Sequence, residues 1–263
     1  MAIIEIFYRK YFKNNEGKLN SGNFNNKCIV PYDCHLEYLY KYLQQAEMES
    51  NGKLNSGQLL IWGGIGTDVQ HSFFQMLHQN DENVLLEILL PAKNLYTEPE
   101  NFNKSNVILN QNEHKLYKRN IDSDLNSIQF TKRVKLDDLV EESFNENLSF
   151  IKDHHKLLLA NGLAQSRALM NGKDNSDEKL LFKGNKPTTT ILYSKLTPDV
   201  FGYLLSIYEH KIFTVGSYYQ VNSFDQFGVQ LGKEIAIEIY ENKENFDEST
   251  KKLLELIEEM NKF

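Results

Sequence analysis

Basic surplus, long apolar runs and spaced cysteines are what this 263-residue sequence is short of, and each shortage excludes something. Lys and Arg number 29 against 36 Asp and Glu, a formal charge of −7. The charges are spread along the chain with no basic face, which argues against a nucleic-acid partner. No apolar run reaches the length needed to cross a bilayer, so no membrane association is expected. The opening MAIIEIFYRKYF places Glu5 inside its short apolar run and has no basic lead, unlike a secretion signal. The only cysteines are Cys28 and Cys34, too few for a disulfide scaffold and without a redox or zinc spacing. A reducing, cytoplasmic setting is expected.

What is present is enough apolar residue, 41%, to bury a substantial core in one large domain or two small ones. The organising stretch is QLLIWGGIGTDVQHSFFQMLHQ, residues 58–79. Leu59 to Trp62 read as a buried strand that stops at Gly63 and Gly64, and Thr67 stands as a helix N-cap. Phe73, Phe74 and Leu77 follow at helical spacing, with His71 on a neighbouring turn. Strand, glycine turn and helix are how α/β proteins build a polar crevice at the carboxyl end of a parallel sheet.

The surrounding segments fit that scheme. Residues 2–12 suit an amphipathic helix, and 28–32 a short strand closed by proline. A helix over 35–45 puts Leu36, Leu39, Tyr40 and Leu43 on one face and ends near the Asn51-Gly52 turn. Gln45 and Glu49 thus lie near a helix terminus, where the bland reading of Glu47 and Glu49 is solvated charge. Residues 84–90, VLLEILL, form another apolar strand. Residues 94–149 contain no glycine and little apolar pattern, as in a surface excursion, with a short helix near 137–144. Disorder or a lid-like excursion is expected of it.

A helix then opens at His154-His155 with Leu157, Leu158, Leu163 and Leu169 inward. Adjacent histidines point to different sides of a helix and do not pinch one metal. A turn at 182–188 precedes a β-branched strand over 189–193. The helix over 198–209 is apolar almost all round and reads as buried between other elements. Asn222 or Ser223 caps a helix that lines up Gln226, Gln230 and Lys233, for which a snorkelling lysine beside solvated glutamines is the bland alternative. The tail, 247–263, is an amphipathic helix with Leu253, Leu256, Ile257 and Met260 inward.

Six segments in order, residues 31–53, 61–79, 153–169, 182–198, 208–213 and 224–233, carry a resemblance that covers the chain nearly end to end. They include MESNGK, GIGTDVQH, LLLANGLAQ, YEHKIF and FDQFGVQLGK. The chain resembles the C-terminal half of the glucose-6-phosphate isomerase (phosphoglucose isomerase) family. The resemblance implies an α/β fold of sugar-isomerase (SIS) type, a flavodoxin-like three-layer sandwich with a parallel central sheet. It implies one C-terminal SIS domain over residues 1–263, an insertion near 97–149, and an N-terminal SIS domain that is not in this sequence.

Position by position, the resemblance puts Glu49 on the catalytic base, His71 on the ring-opening histidine and Lys233 on the lysine of the last signature. Gln45 and Gln226 fall on substrate-contacting glutamines. It implies glucose 6-phosphate and fructose 6-phosphate as substrates, no metal or other cofactor, and a homodimer in which His71 reaches the neighbouring subunit's site. The family's phosphate-cradling Ser/Thr loop and enediolate-steadying arginine belong to its N-terminal domain, so this half alone is expected to be a poor isomerase or a non-catalytic sugar-phosphate module. Asp68-Val69 replaces the family's Asn-Gly before Gln70-His71, and Gln230 replaces a glutamate.

Overall fold

The computed structural model describes residues 1–11, 24–54, 56–96, 136–241 and 246–261, with the backbone alone at 11 and 136–146. They form two compact units, Met1–Val221 and Asn222–Phe263. Among them no helix is long and apolar enough to cross a membrane. The first unit is built on four parallel strands, β1 (Asn26–Pro31), β2 (Leu60–Gly63), β3 (Val84–Pro91) and β4 (Thr188–Tyr193), in the order β2-β1-β3-β4.

Alternation along β1 and β3 sorts their side chains to the two faces of the sheet. Cys28, Val30, Leu86, Ile88 and Leu90 point to one face, where they meet Phe74, Leu77, Leu158, Leu159 and Leu169. These partners belong to α4 (Phe74–Gln79) and the 36-residue α5 (Leu136–Asn171). Ile29 and Leu89 point to the other face, among Leu36, Leu39, Leu43, Leu204 and Tyr208. That cover comes from α2 (Leu39–Leu43) and α6 (Pro198–Tyr218), with α1 (Ala2–Tyr11) packed beside α6. The result is the expected helix–sheet–helix sandwich. Every residue of β3 is buried, which is why its sequence runs apolar without alternation. Each fully buried Leu or Ile contributes roughly 1.5–3 kcal/mol.

Several expectations need correction. The helix expected from His154 begins at Leu136, so the short helix near 137–144 is its first part. It stops at Gly172, whose φ of +66° no β-carbon tolerates there, because one would lie 2.2 Å from the Phe182 carbonyl oxygen. Leu158 and Leu169 face the sheet, but Leu157 and Leu163 are 62% and 55% exposed. α6 runs on to Tyr218 and is covered on one side only: Leu204, Tyr208, Ile212 and Val215 are buried, whereas Phe201, Tyr203, Ile207 and Phe213 are exposed. Of the excursion expected over residues 97–149, residues 97–135 lie outside the described residues, and 136–149 are helical as the first part of α5, in place of the disorder or lid-like excursion expected there.

In the second unit, α7 (Phe227–Tyr240) takes Gln226 as its N-cap residue, in place of Asn222 or Ser223. The Asn222 side chain accepts instead from the Phe224 amide, closing a local turn before the helix. α8 (Glu248–Met260) is capped by Asp247, which accepts from the Thr250 amide at 3.0 Å. Leu253, Leu256, Ile257 and Met260, expected inward, are exposed.

Candidate functional site

The MESNGK segment grows out of α2. After Leu43 the helix widens into a π turn, Gln44–Glu49, which inserts an extra residue and re-aims the side chains that follow. The turn is fastened from several sides. Gln44 Nε2 donates to the Ile61 carbonyl at 2.8 Å, and the Ile61 amide donates to the Met48 sulfur at 3.4 Å. One residue past the turn's C-cap, Asn51 Nδ2 donates to the Ile212 carbonyl in α6 at 2.9 Å.

The strongest fastening is electrostatic. Glu47 is fully buried, which overturns its reading as solvated charge. Its carboxylate accepts from Lys27 Nζ at 2.7 and 2.8 Å and from Lys211 Nζ at 2.9 Å. The same lysines reach Glu5 of α1, Lys27 at 2.9 Å and Lys211 at 3.0 Å. Two carboxylates and two ammoniums from α1, β1, the π turn and α6 thus cancel one another inside the core. Burial pushes Glu47 up, but Lys211 and then Lys27 outweigh it and hold the carboxyl below its usual range. Glu5 is lowered against its own burial by the same two lysines. Lys211 is raised well above the usual lysine range, burial being outweighed by Glu47, Glu5 and Glu87.

Glu49, two residues on from Glu47, is treated oppositely. It is half-buried, and its carboxylate has no hydrogen-bond or ion-pair partner among the described residues; only its backbone carbonyl is engaged, by Lys53 Nζ at 2.9 Å. Gln45 sits four residues earlier on the same turn, exposed. Gln45 and Glu49 therefore stand on the same braced turn.

His71 is positioned by the end of β2. Gly63 has φ +158°, and a β-carbon there would lie 2.0 Å from the Ile29 carbonyl oxygen, so the strand passes its neighbour only as glycine. Two short helices follow, α3 (Gly66–Val69) and α4, in place of one continuous helix. Thr67 lies inside α3, whose N-cap residue is Ile65. Across the break Phe74 is buried and Phe73 packs edge-on against Trp62 at 4.6 Å. His71 stands exposed in the intervening turn, and no contact joins it to Glu49 among the described residues. Val69 is helical, so this chain's turn does not require the family's glycine at that position.

Gln226 and Lys233 belong to the second unit, at the N-cap and within α7, and both are exposed. Sequence reasoning missed Glu47, Lys27, Lys211 and Glu5 as a set. The available signal was charge inside apolar periodicity: Lys27 opens the run CIVP and Lys211 interrupts α6 on its buried side.

A second concavity opens at the carboxyl ends of the strands. It is an open hollow lined by Asp33, Cys34, His35, Thr67, Lys93 and His155 among others.

A parallel α/β sandwich that offers one unpaired carboxylate on a braced turn, and an exposed imidazole after a glycine-closed strand, carries the parts of a proton-transfer enzyme. The chain belongs to the phosphoglucose isomerase family, whose profile matches residues 18–121 and 127–254. It is 36% identical to the glucose-6-phosphate isomerase of Zymomonas mobilis over 96% of this chain and 40% of that protein. It is 32% identical to that of Desulforapulum autotrophicum over 99% of this chain and 42% of that protein. The crystal structure of a glucose-6-phosphate isomerase from Chlamydia trachomatis superposes with a TM-score of 0.66 at 29% identity, over 98% of this chain and 41% of that one. The chain thus spans about 40% of the length of the relatives it matches.

Proposed function

We propose that this chain supplies the base-bearing portion of a cytoplasmic glucose-6-phosphate isomerase, as a SIS domain acting in glycolysis and gluconeogenesis. The contrast between Glu47 and Glu49 carries the proposal. A general base must be ionised, held in place and left unneutralised. Burying and pairing Glu47 holds the turn, and leaving Glu49 without a cation leaves its carboxylate oxygens open to a substrate.

In the assembled enzyme, His71 and Lys233 move protons on and off the sugar ring oxygen to open the ring. An imidazole can both accept and donate a proton, and an ammonium donates hydrogen bonds. Glu49 then removes the C2 proton, giving a cis-enediol, and returns it to C1. Gln45 and Gln226 hydrogen-bond the sugar hydroxyls. Charge on the enediolate oxygen and the phosphate is met by the part of the enzyme outside this sequence, and no metal or nucleotide enters the reaction. The exposed place of His71, without contact to Glu49 in its own chain, supports a dimer in which each histidine serves the neighbouring subunit.

The test follows fructose 6-phosphate conversion to glucose 6-phosphate by a coupled dehydrogenase, with the chain alone and with the complementary portion of the enzyme. Turnover is expected in the combined sample. Glu49→Gln should lower kcat by about 10²–10⁴-fold with the oligomeric state unchanged. A combined sample that binds the sugar phosphate without turning it over would favour the second reading, a non-catalytic module, for which the 40% span speaks.

A further inference from the structure

None of the candidate isomerase residues lines the crevice at the carboxyl ends of the strands. At its edge lie three consecutive side chains, Asp33, Cys34 and His35, whose ligand atoms all fall within 4.8 Å of one another. They sit on a one-turn 3₁₀ helix directly after β1, with Asp33 as its N-cap residue. Pro31 ends the strand, and the tight turn then swings three successive side chains toward one point, which an α-helix or strand would not do. The usual spaced-cysteine signature is therefore absent, although the donors are of the right kind.

We propose that Asp33, Cys34 and His35 form a binding site for a zinc-class divalent cation, with water from the crevice completing the coordination. Carboxylate, thiolate and imidazole are together the donor set of a borderline-soft first-row metal, zinc in particular. The His35 Nδ1 to Cys34 Sγ separation is 3.8 Å and the His35 Nδ1 to Asp33 Oδ1 separation is 2.8 Å. Two ligands at bond lengths of about 2.0–2.3 Å and a tetrahedral angle stand roughly 3.5 Å apart. The site thus straddles the needed spacing, and the Asp33–His35 contact widens by roughly half an ångström as the metal takes the place of the Nδ1 proton.

The groups behind the donors are arranged as metal ligands require. His35 Nε2 pairs with the Tyr96 hydroxyl at 3.1 Å, which fixes the ring and leaves Nδ1 for the cation. The Tyr193 hydroxyl donates to Asp33 Oδ2 at 2.9 Å and the His35 amide to Oδ1 at 3.1 Å, which together orient the carboxylate and leave the second lone pair of Oδ1 for the cation. Neither tyrosine belongs to the cluster, and each comes from a different segment, the loop after β3 and the end of β4. A further buried imidazole nitrogen, His155 Nε2, lines the same crevice without a hydrogen-bond partner among the described residues, an acceptor or donor for metal-bound water. Cys34 and His35 are exposed enough for entry, whereas Cys28 is wholly buried.

The experiment titrates the full 263-residue chain with Zn²⁺ against a chromophoric chelator, and with Co²⁺ followed by absorption. One equivalent should bind, and Co²⁺ should give a thiolate charge-transfer band. Cys34→Ser should abolish that band, and both Cys34→Ser and His35→Gln should weaken Zn²⁺ by about 100-fold or more. Tyr96→Phe should weaken it by about 10-fold through the ring orientation alone. Cys28→Ser should leave band and affinity unchanged, and Zn²⁺ should protect Cys34 from alkylation. All these side chains but Cys28 are at the surface, and circular dichroism confirms that each variant folds. Wild-type Zn²⁺ affinity in Cys34→Ser and His35→Gln, or no binding above the micromolar range, overturns the proposal.

Discussion

Charge at a single residue decides most of what is particular to this chain. Glu47 and Glu49 differ by two positions and have opposite fates, one sealed among Lys27 and Lys211, the other left without a cation. Removing one member of a buried, hydrogen-bonded set strands the rest, so Glu47→Gln should cost about 3–5 kcal/mol in urea unfolding. Lys211→Met should cost a similar amount, and a loss below about 1 kcal/mol for either would mean the quartet is not closed in solution. The pH dependence follows from the directions. Glu5 and Glu47 are lowered from an ordinary value of 4.5, so their stabilisation is complete above that value and drains away as pH falls through their folded values. Lys211 is raised above 10.5, so its share is complete below that pH and lost only as pH rises beyond it. Stability should therefore fall on acidification below about pH 4.5, and the Glu47→Gln variant should fall less steeply, as measured by melting temperature against pH.

Among the elements, the π turn and the β2 exit do the positioning, and both depend on contacts distant in sequence. Asn51 ties the segment after the π turn to α6 by a buried hydrogen bond to Ile212. Asn51→Ala removes that bond while the carbonyl keeps its partner within α6, and should cost about 0.5–1.5 kcal/mol, with faster amide exchange across residues 44–51 but not in β3. Gly63→Ala should cost more than the ordinary 0.5–1 kcal/mol of a glycine replacement, because its β-carbon meets backbone at 2.0 Å, and unchanged melting would show that the strands separate there. The sequence made β1 and β3 legible because strands buried on both faces run apolar and end at turn residues, whereas β2 and β4, which are partly exposed, showed through a glycine closure and β-branched residues. It did not make the break at His71 legible, since Phe73, Phe74 and Leu77 satisfy helical spacing whether or not the helix is continuous. The π turn was equally hidden. Gln44–Glu49 has no composition of its own, and the lysines that fasten it through Glu47 come from β1 and α6, distant in sequence.

For the whole molecule, the informative fact is that candidate groups are distributed. Glu49, Gln45 and His71 lie in one unit and Gln226 and Lys233 in the other, and within the chain Glu49 and His71 do not touch. The proposal that they share one site rests on motif order, because spacing along a chain says nothing about which residues a neighbouring copy contributes. If each site takes Glu49 from one protomer and His71 from its partner, two inactive variants complement each other. In the assembled enzyme, Glu49→Gln and His71→Ala homodimers each have two damaged sites. A hybrid dimer has one site carrying both defects and one carrying neither. Random reassortment of equal amounts makes half the dimers hybrid, so roughly a quarter of wild-type activity should return after mixing under dissociating conditions. The regain should follow the fraction of hybrid dimers measured by native mass spectrometry. Full exchange of subunits with no regain would place both residues of each site in the same protomer.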